Sequence, residues 1–421
     1  MTDIYTRRES QARSYCRAFP VTFTKAANAT LTDDQGRDYT DFLAGCSSLN
    51  YGHNDADMKA ALIAHLEADG VTHGLDMHTS AKEAFLESFE RLILAPRGMD
   101  HKVMFTGPTG TNAVEAAMKL ARKTTGRETI IAFTNGFHGM TMGALAATGN
   151  AGKRAGAGTS LSGVVRMPYE GALAGVDSLA MIRAMLENPS SGIDAPAAFL
   201  IEPVQGEGGL NAASKEFLQG IEALAREQGA LVIMDDIQAG IGRTGPFFSF
   251  EEMGVSPDLI PLAKSLSGMG LPMAALLIRP DLDIWKPAEH NGTFRGNNHA
   301  FVTARVALEK FWADDSFQRR VGEKSAFLTR RLREIAALVP GAQLKGRGMM
   351  QGIDLGSGDM AASVCASCFA QGLIIETSGA HDEVVKVLAP LTIPQAQFAR
   401  GLDILEAAVK AEIRTQKIAA E

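Results

Sequence analysis

Between residues 100 and 280, short apolar runs alternate with amphipathic stretches, and this feature limits the possible folds most strongly. Such alternation is typical of a parallel sheet covered by helices. Behind Gly110-Thr111-Asn112, apolar residues recur at helical spacing, which predicts a helix with one face on the sheet. The predicted strands begin at Val103, Ile130, Ala198, Leu231, Leu259 and Ala274. We therefore expect an α/β fold with a mostly parallel sheet between helices.

The pattern changes after residue 300, where a second region begins. A long helical stretch from Ala300 to about Leu338 precedes a strand near Gly348, and mixed elements follow. The first fifty residues contain strand-like pieces that are too few for a core of their own. We expect a large domain over residues 51–305, a smaller α+β domain over 306–421, and a segment 1–50 that packs with the smaller domain.

Composition and charge exclude several classes of protein. With 421 residues, of which 46% are hydrophobic and 21% charged, the chain is long enough for two globular domains. A formal net charge of −7 argues against a nucleic-acid partner, which requires a basic surface. No apolar run approaches the roughly 20 residues of a membrane-spanning helix. Because the first residues also lack the apolar core of a signal peptide, a cytoplasmic protein without a membrane partner is expected.

The cysteines indicate neither a disulfide framework nor a metal site. A chain of this length has only four of them. Cys365 and Cys368 form one close pair in a stretch rich in alanine and serine, with no second pair and no histidine cluster. We interpret the pair as one face of a helix and expect no metal.

Two segments after predicted strands have the residue types that hold an anion and a flat ring. Thr106-Gly-Pro-Thr-Gly-Thr-Asn112 opens a helix, so its backbone amides and the helix N-terminus suit a phosphate. The alternative is a tight turn in which Thr111 or Asn112 caps the helix. Phe137 and His138 lie between glycines on a loop after a strand, where a planar ligand could stack. Taken alone, His138 is more often a buried structural histidine.

Two further strand ends present a carboxylate and a lysine. Leu231-Val-Ile-Met-Asp-Asp-Ile-Gln238 delivers Asp235 and Gln238 from an apolar run, and a buried acid requires a partner such as a protonated ring nitrogen. Alternatively, the acid at this strand end only caps the following turn. Lys264 lies between a strand and a glycine-rich turn. Most lysines are solvated, but a desolvated one is suited to form a Schiff base with an aldehyde. Together, the four segments provide the contacts that pyridoxal phosphate requires.

One competing motif suggests a dinucleotide site. Gly240-Ile-Gly-Arg-Thr-Gly245 matches the G-x-G-x-x-G pattern and follows a strand. However, Pro246-Phe-Phe-Ser-Phe250 follows it in place of an amphipathic helix, and the next strand lacks a ribose-binding acid at its end. This context disfavours a nicotinamide cofactor.

The chain resembles the class III (ω-amino acid) aminotransferases of fold type I over nearly its whole length. The motifs that carry this resemblance are Glu202-Pro-Val-Gln-Gly-Glu-Gly-Gly209, residues 234–245, Ala263-Lys264 and Gly292-Thr-Phe-Arg-Gly-Asn297. Within that family, residues 8–20 and 385–393 are most similar to the diaminobutyrate–2-oxoglutarate aminotransferases of ectoine synthesis. The resemblance implies a pyridoxal phosphate-dependent α/β transferase with a large and a small domain.

The same resemblance assigns roles to individual residues. Lys264 is implied to bind the cofactor aldehyde and to relay a proton, and Asp235 to bind the pyridine nitrogen. Thr293 is implied to reach the phosphate of a neighbouring subunit, in a homodimer with shared sites. The remaining cofactor contacts that the resemblance implies are Gly110, Thr111, Asn112, Phe137, His138, Glu202 and Gln238.

The implied activity is transfer of the 4-amino group between L-2,4-diaminobutyrate and 2-oxoglutarate. Alternatives are an ω-aminotransferase for ornithine, acetylornithine or 4-aminobutyrate, and a non-catalytic cofactor-binding regulator. One departure from the family is Lys386, which occupies the place of an arginine that binds a substrate carboxylate. We expect Glu207 and Lys386 to form a substrate gate, although Lys386 could instead be a solvated strand-end lysine and Glu207 only a turn residue.

Overall fold

The computed structural model describes residues 3–420, with the side chains of residues 3–415. Its strands are, in chain order, β1 (Phe23–Ala27), β2 (Thr30–Asp33), β3 (Asp38–Asp41), β4 (Lys102–Phe105), β5 (Ile130–Phe133), β6 (Val164–Met167), β7 (Ala198–Ile201), β8 (Leu231–Met234), β9 (Leu259–Leu262), β10 (Ala275–Ile278), β11 (Gln343–Arg347), β12 (Met350–Asp354), β13 (Leu373–Ile374), β14 (Glu376–Ser378) and β15 (Val384–Val387).

The α-helices are α1 (Ile4–Arg8), α2 (Tyr15–Ala18), α3 (Ala44–Ser47), α4 (Ala56–Glu67), α5 (Ser80–Phe89), α6 (Gly110–Thr125), α7 (Met142–Ala147), α8 (Ala151–Ala155), α9 (Ser178–Glu187), α10 (Lys215–Glu227), α11 (Asn298–Phe311), α12 (Ser316–Ala336), α13 (Gly358–Ala370) and α14 (Gln395–Ala420). No helix within residues 3–420 is both long and apolar enough to cross a membrane.

A seven-stranded sheet of order β4-β10-β9-β8-β7-β5-β6 forms the centre of the molecule. Strands β5 to β9 pair in parallel, whereas β10 runs antiparallel to both β4 and β9. All six predicted strands are present, and five of them (β5, β7, β8, β9 and β10) are buried throughout. The predicted α/β fold with a mostly parallel sheet is therefore confirmed.

Helix α6 packs on this sheet as its periodicity predicts. Val114, Ala117, Met118 and Ala121 are all buried, and they share one hydrophobic cluster with strand residues of β5, β7 and β8. The helix ends at Gly126, whose φ of 68° suits a glycine after a helix. Since α6 starts directly behind β4, its N-terminus lies at the edge of the sheet where the parallel strands end.

Two features of the fold differ from the predictions. Strand β6 was not expected, because it is half-buried at the edge of the sheet and includes Arg166. The predicted helix over 300–338 is interrupted between α11 and α12. Trp312 ends α11 by packing its ring against Phe247, with centroids 5.0 Å apart, and Asp314 Oδ1 accepts a hydrogen bond of 2.8 Å from the Ser316 amide.

Segments from both ends of the chain form two smaller sheets, of order β1-β2-β3-β13 and β11-β12-β15-β14. In the first, β3 pairs in parallel with β13, so the N-terminal segment shares a sheet with the C-terminal region. Cys365 and Cys368 lie on α13 as free cysteines. We propose residues 1–50, 51–305 and 306–421 as the domain organisation, and the pairing of β3 with β13 supports the packing of the first segment with the smaller domain.

The glycine motif after β8 holds a buried arginine at the junction of these parts. Arg243 is fully buried, and its guanidinium donates to Asn50 Oδ1 at 2.6 Å and to the Ala389 carbonyl at 2.7 Å. A further bond of 3.2 Å goes to the Met349 carbonyl. The motif therefore has a structural role.

We expect Arg243→Met to lower the free energy of unfolding by about 3 kcal/mol or more, because buried acceptors lose charged hydrogen bonds. Equilibrium urea unfolding followed by far-UV circular dichroism would measure the change. Arg319→Met is the matched control: Arg319 pairs with Asp315 on the exposed surface of α12, so less than about 0.5 kcal/mol is expected. Equal losses in the two variants would contradict the role assigned to Arg243.

Candidate active site

One cavity lies where β5, β7, β8 and β9 end, and it contains most of the residues predicted for the site. It encloses about 340 Å³, a size typical of small-molecule pockets. Parallel strands present their carboxyl ends at one edge of a sheet, so residues that follow different strands meet there. The predicted residues that line the cavity are Gly110, Thr111, Phe137, His138, Glu202, Asp235, Gln238 and Lys264.

Lys264 presents its amine to this cavity just after β9. It begins the 3₁₀ turn Lys264–Ser267, and its φ of 52° lies in the left-handed region that residues with a Cβ seldom adopt. Burial lowers the pKa of the Lys264 amine, although Cys46 and Glu207 act in the opposite direction. A lowered pKa increases the fraction of uncharged, nucleophilic amine.

Asp235 and His138 form a buried pair at one end of the cavity. Asp235 Oδ2 lies 2.7 Å from His138 Nδ1, and Asp235 Oδ1 accepts a hydrogen bond of 3.2 Å from the Ile237 amide. Burial lowers the pKa of His138, but the hydrogen bond to Asp235 and the charges of Asp235 and Glu202 together outweigh it, so the net pKa is raised. Each carboxylate oxygen has a further lone pair. Asp235 can therefore accept another donor from the cavity.

Glu202 orients the loop that carries the predicted stacking residues. Its Oε2 accepts a hydrogen bond of 2.9 Å from the Phe137 amide, and its Oε1 accepts one of 3.2 Å from Gly206. Burial raises the pKa of the Glu202 carboxyl to about 7. The Glu202 side chain thus fixes the backbone of Phe137, while the His138 amide donates to Thr148 Oγ1 at 3.1 Å.

The opposite end of the cavity is formed by the N-terminus of α6. A Cβ on Gly110 would lie 2.9 Å from Ile237 Cδ1, so the wall is too close for a side chain at that position. Thr111 Oγ1 is 2.6 Å from Thr141 Oγ1. Free backbone amides and the dipole of a sixteen-residue helix favour an anion here.

Two predicted cofactor residues lie away from the cavity. Asn112 Oδ1 accepts hydrogen bonds from the Thr109 amide at 3.2 Å and the Thr109 hydroxyl at 2.8 Å. Its side chain therefore caps the start of α6, which was the structural alternative. Thr293 is exposed on the turn Thr293–Gly296. Its predicted partner is the phosphate of another subunit, so that contact stays a prediction.

A buried ion cluster lies beside Lys264. Lys386 is fully buried, and its Nζ lies 3.0 Å from Glu207 Oε1 and 2.9 Å from Glu376 Oε1. Burial raises the pKa of the Glu207 carboxyl, but the charges of Lys386 and Lys264, together with the hydrogen bond from Lys386, lower it to about 2. For Lys386, burial lowers the pKa, and the charges of Glu376 and Glu207 outweigh that effect. Lys386 is therefore a buried, paired cation and not a solvated lysine.

Gln238 connects this cluster to the cavity. Its Nε2 donates to the Cys46 carbonyl at 3.2 Å and to Glu207 Oε1 at 3.4 Å. On the other side of the cluster, the Tyr15 hydroxyl donates to Glu376 Oε2 at 3.1 Å. Changes at Glu207 can thus be transmitted to the cavity wall through Gln238.

Sequence reasoning assigned no role to Tyr15, Cys46 and Glu376. For Glu376 a signal exists: β14 and β15 are antiparallel, and Glu376 lies opposite Lys386 in their register. A single acid and a single lysine in neighbouring apolar segments suggest such a cross-strand pair. Cys46 and Tyr15 give no comparable signal, since they come from the N-terminal segment.

The cavity fits pyridoxal phosphate. The α6 N-terminus suits its phosphate, and the buried carboxylate of Asp235 suits a protonated ring nitrogen at the opposite end. Between them, Lys264 presents an amine for the aldehyde, and Phe137 and Ala263 line the walls. This set of donors matches the charged and apolar parts of that cofactor.

Comparisons with known proteins agree with this geometry. The model of the family "Aminotransferase class-III" matches residues 11–409. A diaminobutyrate–2-oxoglutarate transaminase of Vibrio cholerae is 56% identical over 406 residues, covering 96% of this chain and 98% of that protein. One of Halomonas elongata is 53% identical over 415 residues, covering 97% and 99%.

Solved structures show the same fold. The ornithine aminotransferase of Toxoplasma gondii, which has pyridoxal phosphate at partial occupancy in its active site, has a TM-score of 0.84 at 26% identity, covering 98% of this chain and 94% of that one. A transaminase from the marine bacterium Virgibacillus reaches 0.87 at 19% identity over 98% and 99%. The predicted fold type I is thus confirmed. The chain belongs to the class III aminotransferases, and its cofactor is pyridoxal phosphate.

Proposed function

We propose that this protein transfers the 4-amino group of L-2,4-diaminobutyrate to 2-oxoglutarate, and in the biosynthetic direction aminates L-aspartate 4-semialdehyde with glutamate. The observation that carries the proposal is the cluster of Glu207, Lys386 and Glu376 beside Lys264. Its two carboxylates and one lysine can meet both a cationic and an anionic substrate. High identity to diaminobutyrate transaminases over nearly the whole chain supports the same substrate pair.

Different residues of the cavity have different roles in the transfer of the amino group. When bound, pyridoxal phosphate supplies an aldehyde that takes up the amino group and a ring that accepts electrons from the substrate carbon. Asp235 would hold the ring nitrogen in its protonated form, and Gln238 would orient the oxygen of the ring. Lys264 would hold the aldehyde of the cofactor, and its amine, when free, would carry the proton to and from the substrate carbon.

We also propose the wider setting of the reaction. Similarity of residues 8–20 and 385–393 to enzymes of ectoine synthesis supports a role in the first step of that pathway. Thr293 is exposed, as a residue that contacts a neighbouring subunit must be before assembly. We therefore propose a homodimer or higher homo-oligomer with shared sites, working in the cytoplasm, where glutamate is the common amino donor.

A donor panel tests the proposed activity. Purified enzyme loaded with pyridoxal phosphate is given 2-oxoglutarate and one donor, and glutamate is measured. We expect kcat/KM for diaminobutyrate to exceed that for ornithine, acetylornithine and 4-aminobutyrate by at least about tenfold. Preference for another donor would replace the substrate assignment. Failure of glutamate to change the cofactor absorbance would favour a non-catalytic binder.

The paired state of Lys386 suggests how one site accepts both substrates. Glutamate carries a carboxylate on its reacting carbon, whereas diaminobutyrate has only hydrogen there. We propose that Glu207 covers Lys386 for diaminobutyrate and moves away for glutamate, so that Lys386 can meet the carboxylate as a point charge. Glu376 remains at 2.9 Å and holds the lysine in position.

The gate predicts opposite effects of two variants. Lys386→Met should slow the glutamate half-reaction about tenfold more than the diaminobutyrate half-reaction, because a charged contact is lost. Glu207→Gln should harm chiefly the diaminobutyrate half-reaction, since the cation is then incompletely masked. Single-turnover rates followed by cofactor absorbance measure both. Equal effects on the two half-reactions in either variant would refute the gate.

A further inference from the structure

A second cavity adjoins the active site and shares the Phe137 ring with it. This cavity encloses about 520 Å³, and its wall includes Phe137, Lys153 and Glu207. Glu207 is also hydrogen-bonded to Gln238, which lines the first cavity. The two spaces are therefore neighbours, and a substrate whose reacting carbon lies at Lys264 can extend its other end toward the second one.

Lys153 is the cation of this second cavity. It lies on α8, where its backbone amide donates to Asn150 Oδ1 at 2.9 Å. Its Nζ lies 4.4 Å from the centroid of the Phe137 ring, so the side chain crosses the face that the cavities share. The residue is half-buried, and within residues 3–415 its amine has no ion pair with a carboxylate.

Lys153 and Lys386 differ in the charges that surround them. Lys386 is fully buried and contacts two carboxylates, so much of its charge is already balanced. Lys153 has the same charge, and it lies beside the Phe137 ring. Glu207, on the wall of the same cavity, interacts with that charge at longer range, without an ion pair. Lys153 is thus a half-buried cation on a cavity wall with no ion-paired carboxylate among residues 3–415, and such a cation is a binding position for an anion.

Both proposed substrates carry a carboxylate at the same distance from the reacting carbon. In diaminobutyrate, the carboxylate carbon is three bonds from the reacting carbon. In glutamate, the distal carboxylate carbon is also three bonds from the reacting carbon. The groups closer to the reacting carbon differ between the two substrates. Glu207 and Lys386 are the residues proposed to accommodate that difference. A single fixed cation can therefore serve the distal end of both substrates.

We propose that Lys153 binds this distal carboxylate in both half-reactions. The inference rests on the proposed function and adds a specificity-determining residue to it. Lys153 thereby selects substrates by chain length. The chain between the reacting carbon at Lys264 and the distal carboxylate must extend past Phe137 to the second cavity. Donors without a distal carboxylate gain nothing from the contact.

Lys153→Met tests the proposal, because methionine keeps the packing on Phe137 and removes the charge. KM for diaminobutyrate and KM for glutamate should each rise about tenfold or more, with kcat changed much less. The half-reactions of 1,3-diaminopropane and 2-aminobutyrate, which lack the distal carboxylate, should be unchanged. Titration calorimetry with glutarate should show a similar loss of affinity. Lys153→Arg should retain most of the binding.

Lys215→Met is the control, since Lys215 is an exposed lysine on α10 that lines neither cavity. It should leave all four substrates unchanged. Equal increases in KM for the full-length and truncated substrates, or no increase for glutamate, would overturn the role of Lys153. If the wild type does not use diaminobutyrate but Lys153→Met still weakens glutamate and glutarate, the proposed donor is wrong and the carboxylate site stands.

Discussion

Replacing Lys264 by alanine is expected to abolish transamination while leaving the fold intact. Among the residues that the structure describes, no other lysine lines the cavity at the end of β9, so the variant loses both the group that binds the aldehyde and the base that moves the proton. We expect a loss in kcat on the order of 10⁴-fold or more. Steady-state formation of glutamate from diaminobutyrate would measure it.

The variant should keep its structure and its affinity for the phosphate end of the cofactor. Residues Gly110 and Thr111 are untouched, and the left-handed φ of 52° at Lys264 costs alanine no more than lysine. Far-UV circular dichroism and equilibrium dialysis of pyridoxal phosphate check both points. Lys215→Ala, on the exposed surface of α10, is the control. Turnover near that of the wild type in Lys264→Ala would disprove the assignment.

The central sheet could be predicted because its strands are buried on both faces. Strands β5, β7, β8 and β9 have no exposed residue, so each appears in the sequence as an uninterrupted apolar run. Strand β6 lies at the edge and contains Arg166, which removes that signal. The break between α11 and α12 depends on the packing of Trp312 against Phe247, a contact that helical periodicity does not report.

The candidate site was predictable in part for a related reason. Each polar residue follows an apolar run, and parallel strands place such residues at one edge. The contacts that these residues make with one another were harder to predict from the sequence. His138 is 97 residues from Asp235 along the chain, and Glu207 is 179 residues from Lys386. Resemblance to a family suggested the second pair, whereas the hydrogen bond between His138 and Asp235 appears only in the folded structure.

Asp235→Asn should reduce kcat at least about a hundredfold, equivalent to about 3 kcal/mol in barrier height. Asparagine preserves the size of the side chain but cannot hold a ring nitrogen in its protonated form. The cofactor should still bind, since the contacts at α6 remain. A second result follows from the pair with His138: because Asp235 raises the pKa of His138, its loss should lower that pKa. Rates and nuclear magnetic resonance titration of His138 would measure the two effects.

Asp236→Asn provides the matched control, because Asp236 is the next residue along the chain and lies outside the cavity. It is fully buried, burial raises the pKa of its carboxyl to about 7, and its Oδ2 accepts a hydrogen bond of 3.1 Å from the Ser249 amide. Its replacement should change stability more than rate. A loss of tenfold or less in Asp235→Asn would show that the charge of Asp235 does not act on the ring. A rate loss in Asp236→Asn as large as that in Asp235→Asn would mean that both carboxylates at the end of β8 contribute to the rate and that the role is not specific to Asp235.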